Sequence, residues 1–379
     1  MSSPEPPLRG TRVLSVGHTL PGLYCCAILR DLGAEVVRIE RVARGGGEVG
    51  PYAALLGRFP MRSVNAGTSE CRLDLRDPRG HDAFMRLAAR SDAVLDGFRP
   101  GVTARLGIDY ARLSAQRPAL VYAAISGYGQ EGPLAQRVGH DLNYLAETGV
   151  LGLANPVGLP GTTFADGLAG ISAALNVVAA LAVAVRTGHG QFLDLAIVDA
   201  PLFLLASEFE HYWRSGESRG PGDTHLTGRY PWYAVHSDAD GGSVAVGAVE
   251  PHFHAALVQR LGHPELVTQQ FGDDAAREQA HAALCSAFAA RKRNEVEQEL
   301  GGVDACVSPV ASIAEVAASP LAARAVRTGA GGENLVRTPV RLRTAAPGPE
   351  RATAGVLADA GFSAAEIRDL QQAGVAGGD

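Results

Sequence analysis

The chain has 379 residues, 34 Lys and Arg against 40 Asp and Glu for a net charge of -6, and 46% hydrophobic residues. This is ordinary globular composition, too apolar for wholesale disorder, and the length suggests two or three domains. Lys292 is the sole lysine, and the arginines are spread along the chain rather than gathered in a stripe, which excludes a nucleic-acid-binding role.

In chain order, 11–16 is a short β-rich run, 20–32 reads as a helix stopped by Gly33, and AEVVRIE over 34–40 is a second strand. A helix over 80–90 follows, then strands over 93–95 and 120–125. Short strands separated by helices predict βαβ units and a parallel sheet. The first strand-to-helix turn, VLSVGHTLPGLY, lacks GxGxxG, and Gly45-Gly46-Gly47 follows a strand without opening a helix. A nicotinamide or flavin cofactor is therefore not indicated.

The apolar run 168–185 reaches the lower bound for a membrane span, but Ser172, Asn176 and its many Ala and Gly favour a buried core helix. The polar, Gly-rich stretch 214–227 reads as a linker. Beyond it, alternation over 232–246 around DADGG predicts a hairpin, followed by helices over 251–261 and 275–300. This is a smaller α+β unit. After Pro339 the chain is Arg/Pro/Ala-rich and extended, and it closes on an amphipathic helix, 363–372, with a Ser363/Glu366 capping box.

The five cysteines, an odd number with no CxxC pair, fit neither a disulfide framework nor a zinc site, and Cys25-Cys26 reads as core packing. The opening MSSPEPPLRG has no secretory-signal pattern, so a cytoplasmic location is expected.

Three residues are candidates for acid–base chemistry. His140, in GYGQEGPLAQRVGHDLNYL, falls in a loop beyond the strand at 120–125, the end of a parallel sheet where ligands sit; a structural histidine bonded to backbone is the alternative. Asp166 begins the long apolar helix, as a simple N-cap, as a base or nucleophile, or as both. Glu250 precedes Pro251 at a helix start, where acidic residues also occur for dipole reasons alone. Arg38 and Arg99 are candidates for holding an anionic ligand, although most single arginines are solvated or paired.

Taken together, RVLSVGHTLPGLYCCAILRDLGAEVVRIER, LDLRDPRGHDAFMRLAARSDAVLDGFRPGVTARLGIDY, LVYAAISGYGQEGP, RTGHGQFLDLAIVDA, DACVSPVASIAEV and AGVLADAGFSAAEIRDLQQAGV resemble the family III CoA-transferases over nearly the whole chain. Within that family, GHDLNY and GAVEP are similar to segments of the α-methylacyl-CoA racemases. The resemblance implies an α/β fold: a Rossmann-like large domain from both chain ends (1–213 and 330–379), a small α+β domain (225–329), and an interlocked homodimer. It implies His140 and Asp166 as the catalytic pair, Glu250 as the group that orients His140, and substrate contacts from Arg38, Arg99, Asn65, Gly139, Asp141 and Tyr144. The substrate would be an acyl-CoA or related acyl thioester, with no metal, no cofactor beyond the substrate's own CoA moiety, and no membrane or nucleic-acid partner.

The implied reaction is inversion of the carbon α to a thioester, with Asp166 and His140 working on opposite faces of an enolate. A CoA-transferase with Asp166 as acyl-accepting nucleophile is the alternative in another reaction class. A third reading is a member repurposed for a carrier-bound or other substrate in secondary metabolism. It draws on a departure from the family: NAGTSECRLDL places Thr68 and Ser69 where a basic pair is usual, with Glu70 beside them, which weakens a site for a phosphorylated nucleotide. The loop between His140 and Asp166 is also a few residues shorter than in typical racemases.

Overall fold

The computed structural model describes residues 5–42, 61–342 and 350–378, and its contacts divide the chain into two compact units. The first comprises 1–148, 160–204 and 325–379; the second comprises 149–159 and 205–324. The glycine triplet 45–47 and part of the extended run after Pro339 lie outside the described residues.

The chain runs β1 (Arg12–Val16), α1 (Leu20–Asp31), β2 (Glu35–Glu40), α2 (Arg62–Asn65), β3 (Ser69–Arg72), α3 (Pro78–Ala88) and β4 (Ala93–Asp96). It continues through α4 (Val102–Leu106), α5 (Tyr110–Gln116), β5 (Val121–Ser126), α6 (Asp141–Glu147), α7 (Val150–Leu153), α8 (Phe164–Thr187), β6 (Phe192–Ala196) and α9 (Asp199–Leu204). The six strands form one sheet in the order β3-β2-β1-β4-β5-β6, and every neighbouring pair is parallel. The βαβ pattern of the sequence therefore builds a mixed α/β unit with a doubly wound strand order.

One face of the sheet carries the main core, where Leu14, Val16, Val37, Ile39, Val94 and Tyr122 meet Phe84 and Leu87 of α3. Asp77 caps α3 by accepting the Arg79 N–H, and Pro78 begins it. The same core is closed by residues from the far end of the chain: Val356 and Leu357, then Ile367 and Leu370 of the closing helix Ala364–Gln372. Each fully buried Leu or Phe there is worth about 1.5–3 kcal/mol of transfer free energy. That burial ties the two chain ends into one unit. The expected capping box is present, with the Ser363 N–H donating to Glu366 and the Glu366 N–H donating to Ser363 Oγ.

Helix α8 packs along α1. Gly170 permits this approach, since a Cβ there would come 2.6 Å from Tyr24 Cβ and 2.8 Å from the Pro21 carbonyl oxygen. The helix is long and apolar enough to cross a membrane by length and composition. The expectation of a buried core helix holds for only part of its surface. Ala169, Ala173, Val177 and Ala180 are buried, whereas Ile171, Leu175 and Val185 are exposed, because the small-residue stripe alone meets α1 closely.

The second unit contains α10 (Ala206–Ser215), the antiparallel hairpin β7 (Tyr233–Ser237) and β8 (Ser243–Gly247), α11 (Pro251–Arg260), α12 (Asp274–Ala289), α13 (Arg293–Leu300) and β9 (Val307–Pro309). The DADGG turn closes the hairpin as expected. The single helix expected over 275–300 is two helices, because Lys292 has extended backbone and its N–H donates to Glu295, starting α13 anew. The core of this unit gathers Trp232, Val244, Val246, Leu257, Leu284, Phe288, Val296 and Leu300.

Candidate active site

All parallel strands present their carboxyl ends on the same side of the first unit, and Arg99, His140 and Asp166 lie in the loops and helix starts beyond them. β5 ends at Ser126, and the chain then travels through a Gly/Pro-rich stretch to His140, which is exposed and occupies the N-cap of α6. Two contacts hold this backbone. The His140 N–H donates to Asn143 Oδ1 at 3.0 Å, and the Tyr144 hydroxyl donates to the Gly139 carbonyl at 2.7 Å. Gly139 is required there, since a Cβ would stand 2.9 Å from the Tyr144 ring. Tyr144 is buried edge-on against Tyr128, at 5.4 Å between ring centroids.

Asp166 is not the N-cap of α8; it is the third helical residue, behind an N-cap at Thr163 that makes no side-chain capping bond. Its own N–H donates to Asp141 Oδ1 at 2.9 Å. Among the described residues no donor reaches the Asp166 carboxylate. Burial is the main cause that pushes this carboxyl up to about 6, the nearby Asp141 charge adds to it, and His140 opposes it. Tyr144 belongs to the same electrostatic neighbourhood. Burial, then the charges of Asp166 and Tyr128, push its hydroxyl up to about 12, with Arg99 acting the other way. His140, Asp141, Tyr144, Asp166 and Arg99 are thus one cluster.

Arg99 is carried by the loop after β4, which Asp96 fastens down. The Asp96 carboxylate accepts from the Phe98 N–H at 2.8 Å, the Tyr122 hydroxyl at 3.0 Å and the Thr103 hydroxyl at 3.2 Å. Burial still raises the pKa of this carboxyl despite the three donors. Asp96 was not among the sequence candidates. Its signal was weak, a carboxylate at the last position of an otherwise apolar strand.

Arg38 and Asn65 fall in a second cluster, at β2 and β3. Each nitrogen of the buried Arg38 guanidinium has an acceptor: Nε donates to Thr68 Oγ1 at 3.0 Å, Nη1 to Glu40 at 2.6 Å and Nη2 to Glu70 at 3.2 Å. Asn65 contributes its backbone carbonyl, which accepts from the Thr68 hydroxyl at 2.7 Å. Arg72 donates to Glu70 at 2.7 Å. Arg38 is therefore an ion-paired residue in this structure rather than a cation free for an anionic ligand, since two carboxylates already meet it. Glu250 belongs to the second unit, exposed at the N-cap of α11 without a side-chain capping bond. Among the described residues, no group of three or more His, Cys, Asp or Glu could hold a metal ion.

An ionisable pair at two helix starts beyond a doubly wound sheet can move protons or attack a carbonyl, and relatives of both kinds are found. The model of CoA-transferase family III matches residues 8–353. The chain belongs to this family. It is 34% identical to the α-methylacyl-CoA racemase of Homo sapiens over 82% of this chain and 79% of that one. It is also 32% identical to the succinyl-CoA–D-citramalate CoA-transferase of Chloroflexus aurantiacus, over 79% of this chain and 77% of that one. The crystal structure of a CAIB/BAIF family protein from Brucella suis matches with a TM-score of 0.75 at 26% identity, covering 94% of this chain and all of that one. The family member described here accordingly has the family's mixed α/β fold and is placed among enzymes that process acyl-CoA.

Proposed function

We propose that this family member is an isomerase that inverts the α-carbon of a 2-methylacyl-CoA thioester by two-base proton transfer through an enolate. The observation that carries the reading is the pairing of His140 and Asp166 at adjacent helix starts, with the Asp166 carboxyl raised to about 6. A proton α to a thioester is weakly acidic, and a carboxylate of ordinary basicity is a poor match for it. A half-buried carboxylate with no donor to hold its charge is a better base at neutral pH. Asp166 would take the proton from one face, and His140, as imidazolium, would deliver one to the other. In the reverse direction the roles exchange. Tyr144 and Arg99 would line the thioester side of the cluster. The substrate's CoA moiety is the only cofactor-like group this chemistry needs.

We further propose an interlocked homodimer in the cytoplasm. The exposed Ile171, Leu175 and Val185 of α8 offer apolar surface of the kind a second copy covers.

A second reading is favoured by the transferase relatives: Asp166 attacks the thioester carbonyl, forms an acyl-aspartyl anhydride and expels CoA as the thiolate. The engaged state of Arg38 favours a variation on either reading, a thioester whose carrier lacks the phosphorylated nucleotide.

Incubating an α-methylacyl-CoA with the protein in deuterated water tests the first reading. Deuterium should enter at the α-carbon as stereochemical purity is lost, and a His140→Ala, Asp166→Asn double variant should abolish both. Exchange that survives in the double variant would falsify the assigned roles. Hydroxylamine-sensitive acylation of Asp166, with turnover that requires an acid acceptor, would instead support the transferase. Activity confined to pantetheinyl-carrier thioesters would identify the variation.

A further inference from the structure

A feature of α8 stands apart from the roles assigned above. The N–H of the third helical residue is one of the donors that the helix cannot satisfy itself, and it is ordinarily met by the side chain of the N-cap. Thr163 at the N-cap makes no such bond. The N–H in question is that of Asp166, and its acceptor is Asp141 Oδ1 at 2.9 Å, a side chain 25 residues earlier on a different helix. Asp141 is buried and is the first residue of α6, immediately after His140. One carboxylate therefore stands in for the missing cap of α8 while sharing a peptide bond with His140.

We propose that Asp141 is a positioning residue that locks the starts of α6 and α8 together and so sets the spacing of His140 and Asp166. This rests on the reading of those two residues as the acid–base pair. The geometry has an electrostatic consequence. A carboxylate held against the Asp166 backbone also disfavours a second negative charge on the Asp166 side chain, so the clamp that places the base also makes it more basic. His140 works in the opposite direction, and Tyr144 and Arg99 belong to the same neighbourhood. On the other elements packed against α8, α1 brings Tyr24, Cys25 and Cys26 as neutral groups, and several charged or hydroxyl groups have partners of their own. Arg30 of α1 is paired with Asp31, Tyr122 of β5 donates to Asp96, and Asp194 of β6 accepts from the Gln130 N–H. Asp199, which opens α9, also has a raised pKa, chiefly from burial.

Two variants separate clamp from charge. Asp141→Asn keeps an acceptor oxygen for the Asp166 N–H and removes the charge. Asp141→Ala removes both. In the substrate-free protein, carbon-13 NMR of labelled aspartate carboxyls, with the Asp166 signal assigned by its loss in Asp166→Asn, reads the midpoint directly. In Asp141→Asn that midpoint should fall by about half a pH unit or more, without reaching the ordinary carboxylate value, because burial persists. The acidic limb of kcat/KM for α-proton exchange should move with it. In Asp141→Ala, kcat should drop by about 10²-fold with KM little changed, as expected when reacting groups are misplaced by an ångström. An unmoved midpoint in Asp141→Asn, or an Asp141→Ala variant that exchanges as fast as the parent, would overturn the proposal. Should Asp141→Ala fail to fold, the Asn variant still decides the matter. Absence of exchange in the parent protein would overturn the isomerase reading, and the NMR midpoint would still judge the clamp.

Discussion

Two clusters beyond the same parallel sheet handle charge in opposite ways. At α6 and α8, Asp166 is half-buried with no donor on its carboxylate among the described residues, and a second carboxylate stands beside it. At β2 and β3, the Arg38 guanidinium meets Glu40, Glu70 and Thr68. The first cluster holds an imbalance, which is what raises a group's reactivity. The second has relaxed its imbalance internally, which suits structure and leaves little attraction for an anion. The difference teaches that an ionisable residue whose partners leave it unsatisfied is the stronger candidate for chemistry.

The sharpest way to break the contrast is to remove the reactive groups. Asp166→Asn or His140→Ala alone should lower the deuterium-exchange rate on an α-methylacyl-CoA by about 10²–10⁴-fold, the usual range for general acid–base catalysis. A variant that kept a tenth of the activity would remove the substituted residue from the reacting groups.

The same substitution carries a stability prediction. Burial raises the Asp166 carboxyl from the ordinary range near 4 to about 6, so the folded state binds more protons than the unfolded one between those values. The stabilisation this group gives is present below pH ~4 and is lost as pH rises through about 6, where its anion must be buried. Asp166→Asn should therefore stabilise the protein by about 2 kcal/mol at pH 8 and by almost nothing near pH 4. Denaturant unfolding at the two pH values checks this, and equal effects at both would show that the carboxylate is not strained.

Smaller effects are expected at the other cluster. Glu70→Lys should release one arm of Arg38 and supply a cation, lowering KM for a CoA ester relative to its pantetheine analogue by about tenfold and making that preference salt-sensitive. No change in the ratio would place this cluster away from the nucleotide. Thr68→Val removes the hydroxyl that accepts from Arg38 and donates to the Asn65 carbonyl, and should cost about 1 kcal/mol in thermal unfolding with kcat unchanged.

Much of the fold was legible along the chain. The strands beginning at Arg12, Glu35, Ala93 and Val121 sit within a residue or two of the β-rich runs that signal them, and the DADGG hairpin and the Ser363 cap are local chemistry that needs no tertiary partner. Errors came where the deciding interaction was distant or small. The break at Lys292 depends on one N–H finding Glu295, and apolar periodicity across it gave no warning. The apolar richness of 168–185 could not say which side of α8 would meet α1, because that depends on Gly170 allowing Pro21 and Tyr24 to approach. Nothing in the sequence marked residues 149–159 as belonging to the second unit.

For the site, residue types and order in the chain were sufficient to nominate His140, Asp166, Arg38 and Glu250, since imidazole, carboxylate and guanidinium groups near turns are visible in a one-dimensional string. Which of them are electrostatically alike is not. Arg38 and Arg99 read as equivalent cations, yet one is buried between carboxylates contributed by its own strand and the next, and the other is exposed near Tyr144. Asp166 reads as a helix start and Asp141 as a substrate contact that the resemblance implies, yet Asp141 serves as the cap of the helix that carries Asp166. Local sequence determined the elements and the ionisable groups they carry, because propensity, capping and hydrophobic periodicity act over a few residues. Only the tertiary structure decided which charges are spent and which remain available, because burial and pairing are set by neighbours far away in the chain.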